Sequence, residues 1–169
     1  MADSDNENID ISASEGRHYE FQRVYIKDLS FEMPFSPEIF TQNIGIPKIK
    51  HTIQSTGKRI DDDLYEIVIS LSVSARTREE DKIIYLAEVV QAGLFVLQGY
   101  NKKERSYMIG SYCPNALYPY AREVVSNMVQ HGGFPHMMLP PLNFDAMYEV
   151  YMQQREQQEQ ENNKKAGDA

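Results

Sequence analysis

The side chains of this sequence that could do chemistry are four histidines, one cysteine and a run of three aspartates. Histidines and cysteines bind zinc when short, regular spacings bring them together. His131 and His136 are five residues apart across a Gly-Gly-Phe-Pro turn, whereas His18 and His51 are isolated from other candidate ligands. This spacing favours ordinary surface histidines over a metal site.

The cysteine and the aspartates do not form a reactive centre either. Cys113 stands beside Pro114 at an expected helix start, and a nucleophilic thiol needs a partnering base and a positive environment. Asp61-Asp62-Asp63 falls between two expected strands, where consecutive carboxylates alternate in direction, which favours a solvated turn over a cation site. The sequence contains no glycine-rich phosphate loop. We therefore expect a protein that is not an enzyme and that uses no metal or cofactor.

Composition narrows the class of partner. The chain has 169 residues, enough for one domain with a real core, and a net charge of −8. Nucleic acid and anionic lipid both attract basic proteins, so neither is an expected partner, and a basic protein is the natural electrostatic complement. The single cysteine fits a reducing compartment. The chain shows neither a secretory signal nor an apolar run of about 20 residues, so we expect a cytoplasmic protein without membrane insertion.

Four segments are expected to be strands. Alternation with period two begins at Tyr19, and one parity carries Tyr19, Phe21, Tyr25, Leu29, Phe31 and Met33. Arg23 and Lys27 fall on this apolar parity, which suits a strand with contacts on both faces. Further strands are expected at 46–57, 65–75 and 82–97. The last of these is apolar on both parities and is therefore expected at the centre of the sheet, covered on both faces.

Helical spacing marks the C-terminal part of the chain. The apolar stripe from Leu117 to Val129 is wider than one sheet face requires, so we expect burial against the sheet and against a partner subunit. Pro119 is expected to kink this helix, which ends near His131, and Asn143 is expected to cap a last helix. The order β-β-β-β-α-α predicts class α+β: a four-stranded antiparallel sheet with two C-terminal helices on one face.

The ends of the chain differ from its middle. Residues 1–18 are acidic with few apolar side chains, and residues 155–169 are rich in Gln, Glu and Asn. Both are expected to be disordered, as an acidic arm and a polar tail around a folded domain at 19–154.

The outward parity of the expected strands carries acidic residues. Asp28 and Glu32 share a face about 13 Å apart, at roughly 3.3 Å per residue, and Leu86 shares its parity with Glu88. If the first and fourth strands are neighbours, these residues form an acidic patch with an apolar centre on the open sheet face. The pattern alone leaves two interpretations open, a partner-binding patch or an ordinary solvated face.

Three separated motifs give the sequence a family resemblance. They are Tyr112-Cys113-Pro114-Asn115 followed by Leu117-Tyr118-Pro119-Tyr120-Ala121-Arg122-Glu123, the segment Phe21–Glu32, and Leu142-Asn143-Phe144-Asp145-Ala146. Taken in their order along the chain, they resemble the SecB family of bacterial protein-export chaperones. The resemblance covers about residues 19 to 154.

The resemblance implies a sheet in the strand order 1-4-3-2 and a homotetramer built as a dimer of dimers. It implies a holdase that binds unfolded preproteins in the cytoplasm and delivers them to the motor SecA, without nucleotide or metal. Family positions that contact SecA fall on Asp28, Glu32, Leu86 and Glu88, and positions that govern tetramer assembly fall on Ala87, Val89 and Gln91. The client-binding groove is expected to use Phe35, Phe40, Met137, Met138, Leu139 and Phe144.

Two other functions remain open. One is an oligomeric adaptor that binds a folded partner, and the other is a SecB-like chaperone of a toxin–antitoxin system. The acidic patch favours export, because only export requires SecA. The tail departs from the acidic tails of the family, since Arg155, Lys164 and Lys165 nearly offset its acidic residues.

Overall fold

The computed structural model describes residues 16–167, and the side chains of residues 16–160. The strands are β1 (His18–Glu32), β2 (Lys48–Arg59), β3 (Leu64–Arg76) and β4 (Ile83–Gln98). The helices are α1 (Lys102–Tyr107), a π-helical segment (Met108–Tyr112), α2 (Cys113–His131) and α3 (Phe144–Gly167), with a short 3₁₀ turn at Glu38–Phe40. All four strands pair antiparallel in the order β1-β4-β3-β2. The predicted fold class, strand order and C-terminal helices are confirmed.

The core lies between the sheet and α2. On β3 and β4 the odd-numbered residues are buried, including Ile67, Leu71 and Phe95. They meet the apolar stripe of α2, whose buried members include Leu117 and Val125. Full burial of such side chains contributes about 1.5–3 kcal/mol each, which fixes the helix-facing side of the sheet. The even-numbered side chains of β4 from Leu86 to Val96 are mostly half-buried, with Glu88 exposed and Ala92 buried, so the expected cover on this second face is not provided by the described part of the chain.

Strand β1 departs from simple alternation because it contains two bulges. The register shifts between Phe21 and Arg23 and again between Ile26 and Asp28. Each bulge moves the following residues to the opposite face. Tyr25, predicted on the apolar side with Phe21, therefore lies on the open face. The interruptions in the sequence pattern mark these bulges.

The helical stretch 102–131 begins earlier than the sequence suggested. Asn101 and Glu104 form a capping box. The Asn101 side chain accepts from the Glu104 backbone N–H at 3.0 Å, and the Glu104 side chain accepts from the Asn101 backbone N–H. Cys113 therefore lies inside a continuous helical stretch and not at a helix start. The missed signal is the spacing Asn-x-x-Glu just after β4.

The last helix begins where the sequence predicted and ends later. The Asn143 side chain accepts from the Ala146 backbone N–H at 3.0 Å, which confirms the predicted cap. Residues 155–167 of the expected disordered tail are helical, because Gln, Glu and Lys are good helix formers and Arg155 pairs with Glu159 one turn later. Of the expected acidic arm, residues 1–15 lie outside the described residues, and β1 begins at His18. No helix among the described residues is long and apolar enough to cross a membrane.

Candidate functional site

The open face of the sheet carries three acidic side chains around one leucine, which together we call the acidic patch: Asp28, Glu32, Glu88 and Leu86. Glu32 pairs directly with Leu86, and Glu88 pairs with Ser30, which lies between Asp28 and Glu32 on the same face. The three carboxylates are exposed and Leu86 is half-buried. The structure therefore brings together all four residues that were selected from the sequence.

The acidic patch has no internal charge compensation within residues 16–160. None of its three carboxylates forms an ion pair there, in contrast to Glu66 further along the same face. Exposed unpaired carboxylates on one rigid surface produce a local negative potential that attracts a basic surface.

Glu66 shows what a compensated carboxylate on this face looks like. The Tyr25 hydroxyl donates to Glu66 Oε1, and Lys27 Nζ lies 2.9 Å from the same oxygen. These hydrogen bonds, that of Tyr25 first, hold the pKa of the Glu66 carboxyl below its ordinary value. Burial and the bond to Glu66 raise the pKa of Tyr25 to about 12. The second bulge of β1 makes this cluster possible, because it leaves Lys27 without a partner in the ladder.

The residues expected at the tetramer interface lie on the opposite face of β4. Ala87, Val89 and Gln91 are at most 2% exposed and belong to the protomer's own interior. Gln91 Nε2 donates to the Tyr25 carbonyl at 2.8 Å, while its Oε1 has no hydrogen-bond partner within the described part of the chain. These side chains therefore have no surface of their own to offer a second subunit. They can affect such a contact only through the side chains packed against them.

Exposed apolar side chains lie beside these buried residues, on the helix side of β1. Ile26 pairs with Gln91 and Leu29 with Val89, and both are 46% exposed. Helix α2 packs on β3 and β4 and leaves this part of β1 uncovered. On the helical stretch, Tyr112 and Tyr120 are also more than 40% exposed. Sequence reasoning missed Ile26, because the bulges reverse its parity.

The expected groove residues divide into exposed and buried sets. Phe35, Phe40 and Met138 are 44%, 53% and 75% exposed, and Met137 is half-buried. Leu139 and Phe144 are both only 3% exposed. These last two anchor the groove wall in the core, in place of the exposed lining that the sequence suggested.

Aromatic contacts join the β1–β2 loop to the connector between α2 and α3. The Phe40 ring lies 5.4 Å from the Phe134 ring, which in turn lies 4.8 Å from the buried Tyr85 ring. Ile39, next to Phe40, is buried. The loop and the connector thus form one continuous apolar surface, which we call the connector groove.

A second groove, which the sequence did not reveal, lies between β2, the helical stretch and α3. Its volume is about 770 Å³, and apolar contacts come from Ile109, Met147, Tyr148 and Tyr151. We call it the α3 groove. The spacing of the last three residues on one helix face was visible in the sequence, but their partner surface was not.

Two glycines allow the three elements of the α3 groove to approach closely. A Cβ on Gly57 of β2 would lie 2.3 Å from Ile109, and one on Gly110 would lie 2.4 Å from the Tyr148 ring. Any larger side chain at these positions would push the elements apart.

Polar bonds fix α3 against the helical stretch. The Tyr148 hydroxyl donates to Ser106 Oγ at 2.9 Å, and the Asp145 carboxylate accepts from Ser111 and from Tyr107, the latter at 2.8 Å. The bonds from Ser111 and Tyr107 lower the pKa of Asp145. The ionised carboxylate of Asp145 thus holds the start of α3 against the helical stretch.

The residues considered for catalysis are far from a reactive arrangement. Burial raises the pKa of the Cys113 thiol to about 12, so that the group is a neutral thiol at pH 7. Asp62 is solvated and pairs with Arg59 at 3.0 Å, as expected for a turn. Among the described residues, no group of three or more His, Cys, Asp or Glu side chains is arranged to hold a metal ion.

A sheet whose open face carries unpaired carboxylates, and a helical face edged by exposed apolar grooves, are features of a protein that binds other proteins. The SecB family model, described as preprotein translocase subunit SecB, matches residues 12–157. The chain belongs to the SecB family, and the predicted role in protein export is confirmed at the level of this family.

Curated SecB proteins are similar to this chain over most of their length. The protein-export protein SecB of Alcanivorax borkumensis is 45% identical over 83% of this chain and 88% of its own. The SecB of Methylococcus capsulatus is 44% identical over 85% and 91% of the two chains, and that of Pseudomonas fluorescens is 39% identical over 92% and 96%.

A solved structure shares the fold. The SecB-like chaperone of Mycobacterium tuberculosis, in complex with a peptide from an antitoxin, superimposes with a TM-score of 0.60 at 15% identity. The match covers 73% of this chain and 90% of that one.

Proposed function

We propose that this protein is a cytoplasmic holdase, which binds non-native secretory precursors through its apolar grooves and delivers them to SecA through the acidic patch. The observation that carries the proposal is the separation of the two surfaces. The acidic patch lies on the open face of the sheet, whereas the connector packs on α2 on the other side. One surface can therefore hold a client while the other meets a partner.

Client binding is assigned to the connector groove and to the α3 groove. Phe40 and Met138 expose apolar area that folded proteins usually bury, and methionine adapts its shape to varied side chains. Binding of the unfolded state holds a client unfolded by mass action and requires no reaction. Several weak apolar sites on one assembly reinforce one another through effective concentration.

SecA binding is assigned to Asp28, Glu32 and Glu88 around Leu86. A basic partner surface meets three exposed carboxylates that lack a cation among the described residues. Charge pairing of this kind raises the association rate and weakens with salt, since the Debye length is about 8 Å at physiological ionic strength. Leu86 supplies an apolar centre.

A homotetramer is part of the same proposal. Ile26 and Leu29 on β1, with Tyr120 on α2, form apolar surface that the protomer does not cover. Ala87, Val89 and Gln91 lie beside this surface on the neighbouring strand β4, so that changes there would act on the interface through the side chains packed against them. Charging Leu29 should yield smaller assemblies in light scattering, whereas the same change at Ile49, 41% exposed on β2, should not. A monomer at micromolar concentration of the unmodified protein would contradict the assembly.

The toxin–antitoxin alternative has less support. The M. tuberculosis chaperone in complex with an antitoxin peptide shares 15% of residues with this chain, which supports a common fold only. The relatives at 39% to 45% identity are export proteins. The adaptor alternative predicts high affinity for one folded partner. Comparing the affinities for a folded and an unfolded protein distinguishes it from the holdase.

Calorimetry on one secretory precursor, in its unfolded and its folded form, tests the proposal. Binding of the unfolded form should be much tighter, should not need nucleotide and should show a negative heat-capacity change from apolar burial. Comparable affinity for the two forms would reject the holdase and favour the adaptor.

A further inference from the structure

Three side chains on one face of α2 donate hydrogen bonds to the connector that leads to α3. Tyr118, Arg122 and Ser126 are spaced four residues apart, which places them in a row along the helix. The Tyr118 hydroxyl donates to Pro140 O at 2.9 Å, Arg122 to Leu139 O at 3.3 Å and Ser126 to Met137 O at 2.7 Å. We call this row the α2 ladder.

The connector needs such partners because it belongs to no helix or sheet. Residues 137–141 have no regular secondary structure, the residue before each proline favours an extended backbone, and Pro140 and Pro141 lack N–H groups. Carbonyl groups near the core require hydrogen bonds, since an unpaired buried carbonyl is destabilising. The α2 ladder provides these bonds in antiparallel order, from Ser126 at the start of the connector to Tyr118 at its end.

The first and last rungs of the ladder are reinforced. Because the single hydroxyl proton of Ser126 is directed at Met137 O, His136 Nδ1, 3.1 Å from Ser126 Oγ, acts as the donor in that contact. The Tyr118 ring packs edge-on against the Phe144 ring at 5.7 Å, and burial raises the pKa of its phenol, so that the hydroxyl stays a donor.

The ladder determines which connector side chain faces outward. Successive side chains of an extended chain point to opposite sides. With the carbonyls of Met137 and Leu139 bonded to α2, Leu139 is 3% exposed and Met138 is 75% exposed. A slip by one residue would exchange the two, burying Met138 and exposing Leu139.

We propose that Tyr118, Arg122 and Ser126 are positioning residues of the connector groove, which hold the connector in the one register that presents Met138 to a client. The inference rests on the proposed holdase function. The three residues do not contact the client; they remove the entropy loss that a mobile connector would suffer on binding.

The test compares Tyr118→Phe, Ser126→Ala and their combination with the unmodified protein. Each change removes one hydroxyl and keeps the rest of the packing, and Ser126→Thr keeps the hydroxyl as the conservative rescue. Asn127→Ala, on the exposed side of α2, is the matched control. Hydrogen exchange at the amides of Met137, Met138 and Leu139 reports connector mobility, and calorimetry with an unfolded precursor reports affinity.

We expect faster exchange at these amides and a client affinity about fivefold weaker for each lost rung, the factor that corresponds to one net hydrogen bond. Ser126→Thr and Asn127→Ala should behave like the unmodified protein. The same ladder variants in a Met138→Ala background should lose most of their effect on affinity, because they act through Met138. A merely structural role would lower affinity equally in both backgrounds.

Unchanged client affinity when Tyr118→Phe and Ser126→Ala are combined would overturn the inference. An equal loss of affinity in the presence and absence of the Met138 side chain would overturn it as well. Failure of the proposed function gives a different result, because the unmodified protein would then not distinguish unfolded from folded precursor.

Discussion

The acidic patch and the connector groove are built in different ways, although both are surfaces for proteins. The acidic patch lies on two paired strands, where the backbone hydrogen bonds between β1 and β4 fix the position of each side chain. The connector groove is made from two irregular segments, held by the Phe40–Phe134 contact and by side-chain bonds from α2. A rigid charged surface suits one folded partner, and an adaptable apolar surface suits many unfolded ones.

The largest effect should come from charging the groove. Replacing Phe40 and Met138 with Asp removes two exposed apolar contacts and places carboxylates where a client must be desolvated. We expect affinity for an unfolded precursor to fall by about 30-fold or more, since a loss of 1.4 kcal/mol is tenfold. Ile60→Asp is the control, because Ile60 is 50% exposed in the β2–β3 turn.

Calorimetry on the three proteins, with SecA binding measured in parallel, checks this prediction. An equal loss in the Ile60 control would show that negative charge in general, and not the groove, governs client binding.

Reversing one charge of the patch should have a smaller and salt-dependent effect. Glu88→Lys should weaken SecA binding about tenfold at low salt, mainly through the association rate, and client affinity should stay unchanged. Glu79→Lys makes the same charge change in the exposed β3–β4 turn and serves as the control. Association kinetics at two ionic strengths provide the measurement. Parallel loss of client affinity would mean that the two surfaces are not separate.

The shared face of the patch residues was predictable from sequence, whereas the division of the six expected groove residues into exposed and buried ones was not, for a physical reason. Alternation along β4 places Leu86 and Glu88 on one face without knowledge of any other element. The burial of Leu139 and Phe144 depends on how the connector meets α2, which no local pattern encodes. The reversed face of Tyr25 needed the bulges, of which the sequence showed only the interrupted alternation.

The docking of α3 should depend on pH through Asp145. Bonds from Ser111 and Tyr107 lower its pKa in the folded protein, so their contribution is complete above the ordinary value of 3.8 and is lost as pH falls through the lower folded value. We expect the protection of the amides in the first turns of α3 against hydrogen exchange, relative to the intrinsic rate at each pH, to fall below about pH 4. Asp145→Asn should show this lower protection already at neutral pH. Identical pH profiles for both proteins would contradict this role.

The smallest effect is expected from Tyr25→Phe, a change on the open sheet face that also carries the acidic patch. Loss of the hydroxyl should raise the pKa of the Glu66 carboxyl toward its ordinary value of 4.5, because the bond from Tyr25 is the main cause of the lowered pKa. An NMR titration of Glu66 measures the shift, and Tyr120→Phe is the control. Binding of SecA and of clients should not change. An unaltered Glu66 titration would show that Lys27 alone holds the carboxylate.

The central claim is that client and SecA occupy separate surfaces of the same protomer. Titration of SecA into the protein, free or saturated with an unfolded precursor that does not itself bind SecA, tests it most directly. We expect the same SecA affinity in both titrations, with the client retained in the complex. Displacement of the client, or a SecA affinity that falls in proportion to client occupancy, would contradict the separation of the two surfaces.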